Sequence, residues 1–177
     1  YDNLPKINLN LDYDFNFLLV SQMGIRKNIP NTIKWFIEEF NDEEVGLIVK
    51  TNIAKNSLID KRHTEQEIKK IINSGENNKN RKCKVYLLHG EMSDEEIHSA
   101  YIHEKVKAFV SLTHGEGDSA KEKMRECYND IISGDKASPC EYALELHERF
   151  SEEKLYADFV NSIESISDNQ DSQVIVL

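Results

Sequence analysis

This chain lacks the residue patterns that hold metals. Its three cysteines, Cys83, Cys127 and Cys140, are odd in number and far apart. With no Cys-x-x-Cys pair they offer neither a zinc site nor a dithiol redox couple, and they read as reduced thiols of a cytoplasmic protein. The six histidines, His63, His89, His98, His103, His114 and His147, form no His-x-His or His-x-x-x-His pair, which argues against a metal centre. Long apolar runs are missing too: stretches such as Phe17 to Val20 are far too short to span a bilayer. The start, Tyr1 to Asn16, is mixed and acidic and carries no secretory signal; it also lacks an initiating methionine, as a fragment or excised domain would. Positive charge is in short supply, with 22 Lys and Arg against 32 Asp and Glu and a formal net charge of −10. That balance argues against nucleic acid as a partner and against attraction to an anionic membrane surface. A local basic pocket can still hold one phosphate group. No Gly-x-x-x-x-Gly-Lys-Ser/Thr phosphate loop, no nucleophile elbow around Ser111 or Ser119 and no internal repeat is present.

What is there is an ordinary globular composition, 39% hydrophobic and 31% charged over 177 residues, enough for one proper core. Phe15 to Val20 reads as a buried strand, and Ile29-Pro30 opens a helix with Ile33, Phe36, Ile37 and Phe40 on one face. Val45 to Val49 is a second strand. Thr64-x-x-Glu67 reads as a capping box for a short helix through Ile68, Ile71 and Ile72 that ends at Gly75. Val85 to Leu88 is a third strand, and Ser93-x-x-Glu96 caps a helix that carries Ile97 and Tyr101 inward. Val106 to Leu112 is the fourth. Strand and helix alternate four times, which predicts an α/β fold: a Rossmann-like parallel sheet with helices on both faces. Closing helices follow, the first from Asp118 to Ser133 with Met124, Cys127, Tyr128 and Ile131 on one stripe and Gly134 as its stop. Two more are expected after Ser138 and Ser151, then a loose tail over 168–177. The whole reads as one domain, 1–177.

In an open parallel sheet, ligands bind beyond the carboxyl ends of the strands, near helix N-termini. Three loops meet that rule. Ser21 to Asn28 holds Gly24, Arg26 and Lys27 just before a helix, which suits either a diphosphate cradle or a solvated basic loop. His89-Gly90 is a second, where glycine either marks a turn or lets backbone approach a ligand. In the third, Thr113-His114-Gly115-Glu116-Gly117, a carboxylate sits between two glycines. It is either a sugar-binding or charge-stabilising group or a plain turn.

Taken together, Phe17-Leu18-Leu19-Val20-Ser21, Arg26-Lys27-Asn28, Leu87-Leu88-His89-Gly90 and Ala108 to Gly117 resemble the C-terminal domain of group 1 glycosyltransferases of the GT-B fold. The resemblance runs from about Phe15 to Gly117. It implies a nucleotide-sugar-binding domain in which Arg26 and Lys27 hold the donor diphosphate and Glu116 faces the donor sugar in the active site. Ser21, Gly24, His89, Gly90, His114, Gly115 and Gly117 would belong to the donor-site loops. It further implies metal-independent, retaining hexosyl transfer from a UDP- or GDP-sugar, which is a substrate and not a cofactor, to an acceptor glycan or glycoconjugate. The acceptor-binding N-terminal domain, through which peripheral membrane contact would be made, is not in this sequence.

The chain departs from the family after Gly117. Where a second glutamate is expected eight positions beyond the first stands Met124, and Asp118 onward resembles the family's much later closing helix. Either the intervening segment is deleted or the chain is joined across it. The alternative reading is therefore a non-catalytic Rossmann-like interaction module with an incomplete nucleotide pocket.

Overall fold

Along β1 (Asn16–Val20) the apolar residues point alternately to opposite sides of the sheet, Phe17 and Leu19 to one face and Leu18 to the other, so both faces need cover. The computed structural model describes residues 4–75, 80–111 and 117–134, with Lys154, Tyr156 and Val160. The chain divides into two compact units, Tyr1–Asp135 and Lys136–Leu177. In the second, the three described residues are helical; the helices expected after Ser138 and Ser151 and the tail over 168–177 otherwise lie outside the described residues.

The first unit runs β1, α1 (Ile29–Phe40), β2 (Gly46–Lys50), α2 (Leu58–Asn73), β3 (Lys84–Leu88), α3 (Asp94–Tyr101), β4 (Val106–Phe109) and α4 (Gly117–Ser133). The sheet order is β3-β2-β1-β4 and every pairing is parallel. This is the Rossmann-like α/β fold expected from the alternation. Phe17, Leu19, Leu47, Val49, Ala108 and Val110 pack with the buried stripe of α1, with Ile68 of α2 and with Met124 of α4. The opposite face, Leu18, Ile48 and Val106, is covered by Ala100 of α3 and by Leu11, with Ile7 and Leu9 alongside.

Helix α1 is positioned by an aromatic cluster. Phe17 lies 6.1 Å from Phe36 and 5.4 Å from Phe40 between ring centroids, and Tyr128 of α4 meets Phe40 edge-on at 5.4 Å. Burying each such side chain contributes about 1.5–3 kcal/mol. Arg125 fastens α4 to α1: its guanidinium lies 4.5 Å from the Phe40 ring centroid and donates to Glu39 Oε1 at 2.7 Å and to the Glu39 carbonyl at 2.6 Å.

Three local expectations change. Helix α2 starts not at Thr64 but at Leu58, because the Ser57 hydroxyl caps it by accepting from the Asp60 amide at 3.2 Å. Thr64 is then inside the helix and buried, so it cannot act as a cap. Strand β4 ends at Phe109, although the Val110 amide still donates to the Leu18 carbonyl at 3.0 Å. Helix α3 has the expected capping box at Ser93 and Glu96, but buries Ser99 and Ala100 while Ile97 and Tyr101 are half-buried. No helix among the described residues is long and apolar enough to cross a membrane.

Candidate functional site

Because all four strands are parallel, the segments that leave β1, β2, β3 and β4 emerge at one rim of the sheet. Strand order reverses at β1: the chain steps outward to β2 and β3, then returns to pair β4 on the other side of β1. Ligands of open α/β sheets bind beside such a reversal. The segment after β1, with Arg26 and Lys27, and the segment after β4, which leads to Glu116, leave neighbouring strands at this point.

The basic segment is built as follows. The Ser21 amide donates to the Lys50 carbonyl and the Met23 amide to the Asn52 carbonyl, each at 3.0 Å, so the chain follows β2 past the end of β1. It then makes a 3-10 turn over Ile25–Lys27, closed by the Lys27 amide on the Gly24 carbonyl at 3.0 Å. Asn28 takes the left-handed conformation, φ 51°, and its carbonyl accepts the Thr32 amide that begins the α1 ladder. Among the described residues no side chain caps α1, and its first turn holds no acidic residue. Arg26 and Lys27, both exposed, thus stand directly before a helix N-terminus whose dipole has the same sign as their charges. Among the described residues neither makes an ion pair.

The β4 side is framed at both ends. Ser111 is exposed, and Gly117 opens α4 against the indole of Trp35 on α1, where an added Cβ would lie 2.4 Å from Nε1. His114, Gly115 and Glu116 lie outside the described residues. Gly24 has open space around it, whereas Gly90 is needed for its backbone, φ +124°.

His89 has a different place from the other loop residues. Its side chain is almost fully buried, and Nε2 lies 3.0 Å from Asp60 Oδ2. Asp60 Oδ1 accepts the Ala54 amide at 3.0 Å. Burial acts to raise the Asp60 carboxyl, but the His89 hydrogen bond and the backbone amides outweigh it, leaving the carboxyl below its ordinary value. An ionised carboxylate only accepts, so the His89 Nε2–H donates. The pair ties the β3 exit to the start of α2 and occupies the ring nitrogen nearest the carboxylate.

Three features of the rim were not foreseen from sequence. Lys50, at the end of an otherwise buried apolar strand, donates from Nζ to the Gly90 carbonyl at 2.6 Å. Thr51 is buried, and among the described residues its hydroxyl has no hydrogen-bond partner. Asp60, the partner of His89, lies 29 positions away in sequence. The one usable signal was Lys50 itself, a charge closing a strand that is apolar up to that point. A pocket of 190 Å³ lies between the ends of β1 and β2, lined by Val20, Ser21, Gln22, Lys50, Thr51 and Asn52. A larger groove of 570 Å³ runs between α2 and the β3 edge, lined by Ile68, Ile72, Val85 and Leu87 with Lys61 and Arg81. Among the described residues no group of three or more His, Cys, Asp or Glu is placed to hold a metal ion.

The rim therefore combines an accessible pair of cations, an uncapped helix N-terminus, a half-buried ammonium and a small polar pocket, which suit a phosphorylated ligand better than an apolar one. Comparison of the chain with protein-family models, with curated proteins and with solved structures gives no match.

Proposed function

We propose that this chain is the nucleotide-sugar-binding domain of a metal-independent, retaining glycosyltransferase acting in the cytoplasm. The donor is a UDP- or GDP-sugar, and the acceptor is a glycan or glycoconjugate held by a partner domain. The observation that carries this reading is the placement of Arg26 and Lys27 before the uncapped α1 N-terminus, at the rim shared with the β4–α4 connection. In such a reaction, negative charge grows on the leaving nucleotide diphosphate as the glycosidic bond breaks. Cations and helix-end amides placed beside it stabilise that charge. Glu116 takes the sugar-facing role that the sequence resemblance implies.

Three exposed apolar side chains agree with a second domain facing this rim. Leu58 and Ile59, in the first turn of α2, are 78% and 68% exposed, and Ile53 lies in the same connection. Such apolar surface is the usual mark of a contact.

Isothermal calorimetry with UDP- and GDP-sugars tests the reading. Binding is expected in the wild type, with affinity falling about tenfold or more in Lys27→Ala as one charge-assisted hydrogen bond is lost. Absence of binding to every donor by a folded wild-type protein would remove the sugar-transfer reading.

A further inference from the structure

The ammonium of Lys50 sits in an unusual electrostatic position. Gly46 to Val49 are buried, and Lys50 follows them in register with Val20 of β1 and Leu88 of β3. An ammonium has three donors, and here one goes to a neutral carbonyl, that of Gly90. Half-burial pushes the Lys50 ammonium below its ordinary pKa, so the charged form is under-compensated where it stands. The chain carries 32 carboxylates, yet among the described residues none pairs with Lys50.

The adjoining pocket gives an independent observation. Thr51 is 3% exposed, lines the pocket and has a hydroxyl without a partner among the described residues. Ser21, also in the lining, makes from its hydroxyl, among the described residues, a long 3.5 Å contact to the Gln22 carbonyl. At 190 Å³ the pocket is smaller than the roughly 300–1,000 Å³ that hold drug-sized ligands. It suits one phosphoryl group rather than a whole nucleotide sugar.

We propose that Lys50, with Thr51 and Ser21 beside it, forms a phosphoryl subsite at the carboxyl end of β2, separate from the Arg26-Lys27 turn. For its choice of ligand the inference rests on reading this rim as a donor-diphosphate site. On binding, Lys50 exchanges the Gly90 carbonyl for a phosphoryl oxygen. Anion binding is thereby coupled to the His89-Gly90 segment, which Lys50 otherwise holds.

The test uses the wild-type chain with ¹⁵N-labelled lysine, followed by ammonium NMR, and inorganic pyrophosphate and orthophosphate as probes. The Lys50 resonance is assigned with Lys50→Arg. Pyrophosphate is expected to shift that resonance and to raise its pKa, since a bound anion offsets the desolvation. By calorimetry, Lys50→Met should bind pyrophosphate about tenfold more weakly. Lys70→Met, which removes an exposed charge in the last turn of α2, should bind it as the wild type does. An equal response to orthophosphate marks a site for a single phosphate and supports the subsite. If pyrophosphate engages Lys50 but no nucleotide sugar binds, the subsite stands and the sugar-transfer reading falls. If a nucleotide sugar binds and Lys27→Ala weakens it, while the Lys50 resonance stays unmoved by every probe, the subsite is overturned and the transfer reading stands.

Discussion

Gly117→Ala probes the joint between the two helices that wall the rim. A Cβ at this position falls 2.4 Å from Nε1, 2.8 Å from Cε2 and 3.0 Å from Cδ1 of Trp35. Two effects compete. Replacing glycine by alanine in a helix is worth at most about 0.5–1 kcal/mol in favour of the variant. Overpacking against a ring that cannot move freely costs about 1–3 kcal/mol. Three ring atoms of the indole are involved, and Trp35 packs against the main core cluster, so the clash wins. The net loss is about 1–2 kcal/mol, which lowers the unfolding midpoint by roughly 3–8 °C in a domain of this size. Trp35 is the sole tryptophan, so intrinsic fluorescence reads its displacement directly. The expected result is a lower midpoint together with a red-shifted emission as the indole moves toward water. An unchanged midpoint and spectrum would show that the α4 start does not rest on Trp35, and the framing of the β4–α4 connection would fall with it.

Other outcomes follow from the same geometry. In Gly46→Ala the added Cβ meets Asn16 Oδ1 at 1.9 Å and Tyr86 Cε2 at 2.8 Å, atoms of both flanking strands, so neither side can yield alone. Urea unfolding should show a loss of about 3 kcal/mol or more, and a loss below 1 kcal/mol would contradict the packing. The Asp60 carboxyl is held lower in the folded chain than in the unfolded one, so its stabilisation is full above the unfolded value of about 4 and is lost as pH falls through the lower folded value. Midpoints measured from neutral pH into acid should therefore drop less steeply in Asp60→Asn than in the wild type; parallel curves would deny the His89–Asp60 hydrogen bond any role.

The parts of the fold that were legible in sequence are those set by local periodicity. Ile33, Phe36, Ile37 and Phe40 recur at helical spacing, and all four are buried on α1. Ser93 and Glu96 form both halves of a capping box within four residues, and both bonds are present. The α2 start was misplaced because Thr64 and Glu67 satisfy the same local pattern, while the burial of Thr64 is a tertiary fact. The turn before α1 was legible at Arg26 and Lys27, whose position ahead of a helix is local information. His89 was placed in a donor loop, but its ring is buried against Asp60, a partner brought by the β3 crossover from a distant helix. Lys50 was hidden for a related reason: its significance lies in the Gly90 carbonyl it meets, 40 positions further on.

The central claim, that the carboxyl rim of this sheet receives a nucleotide diphosphate, is tested most directly by mapping UDP onto the chain through backbone amide chemical shifts. Perturbations are expected at Ser21 to Asn28, at Lys50 to Asn52 and at Gly117, with the opposite rim, Asn41 to Glu44 and Lys82 to Cys83, unaffected. Shifts confined to that opposite rim, or a spectrum unchanged at millimolar UDP, would contradict it.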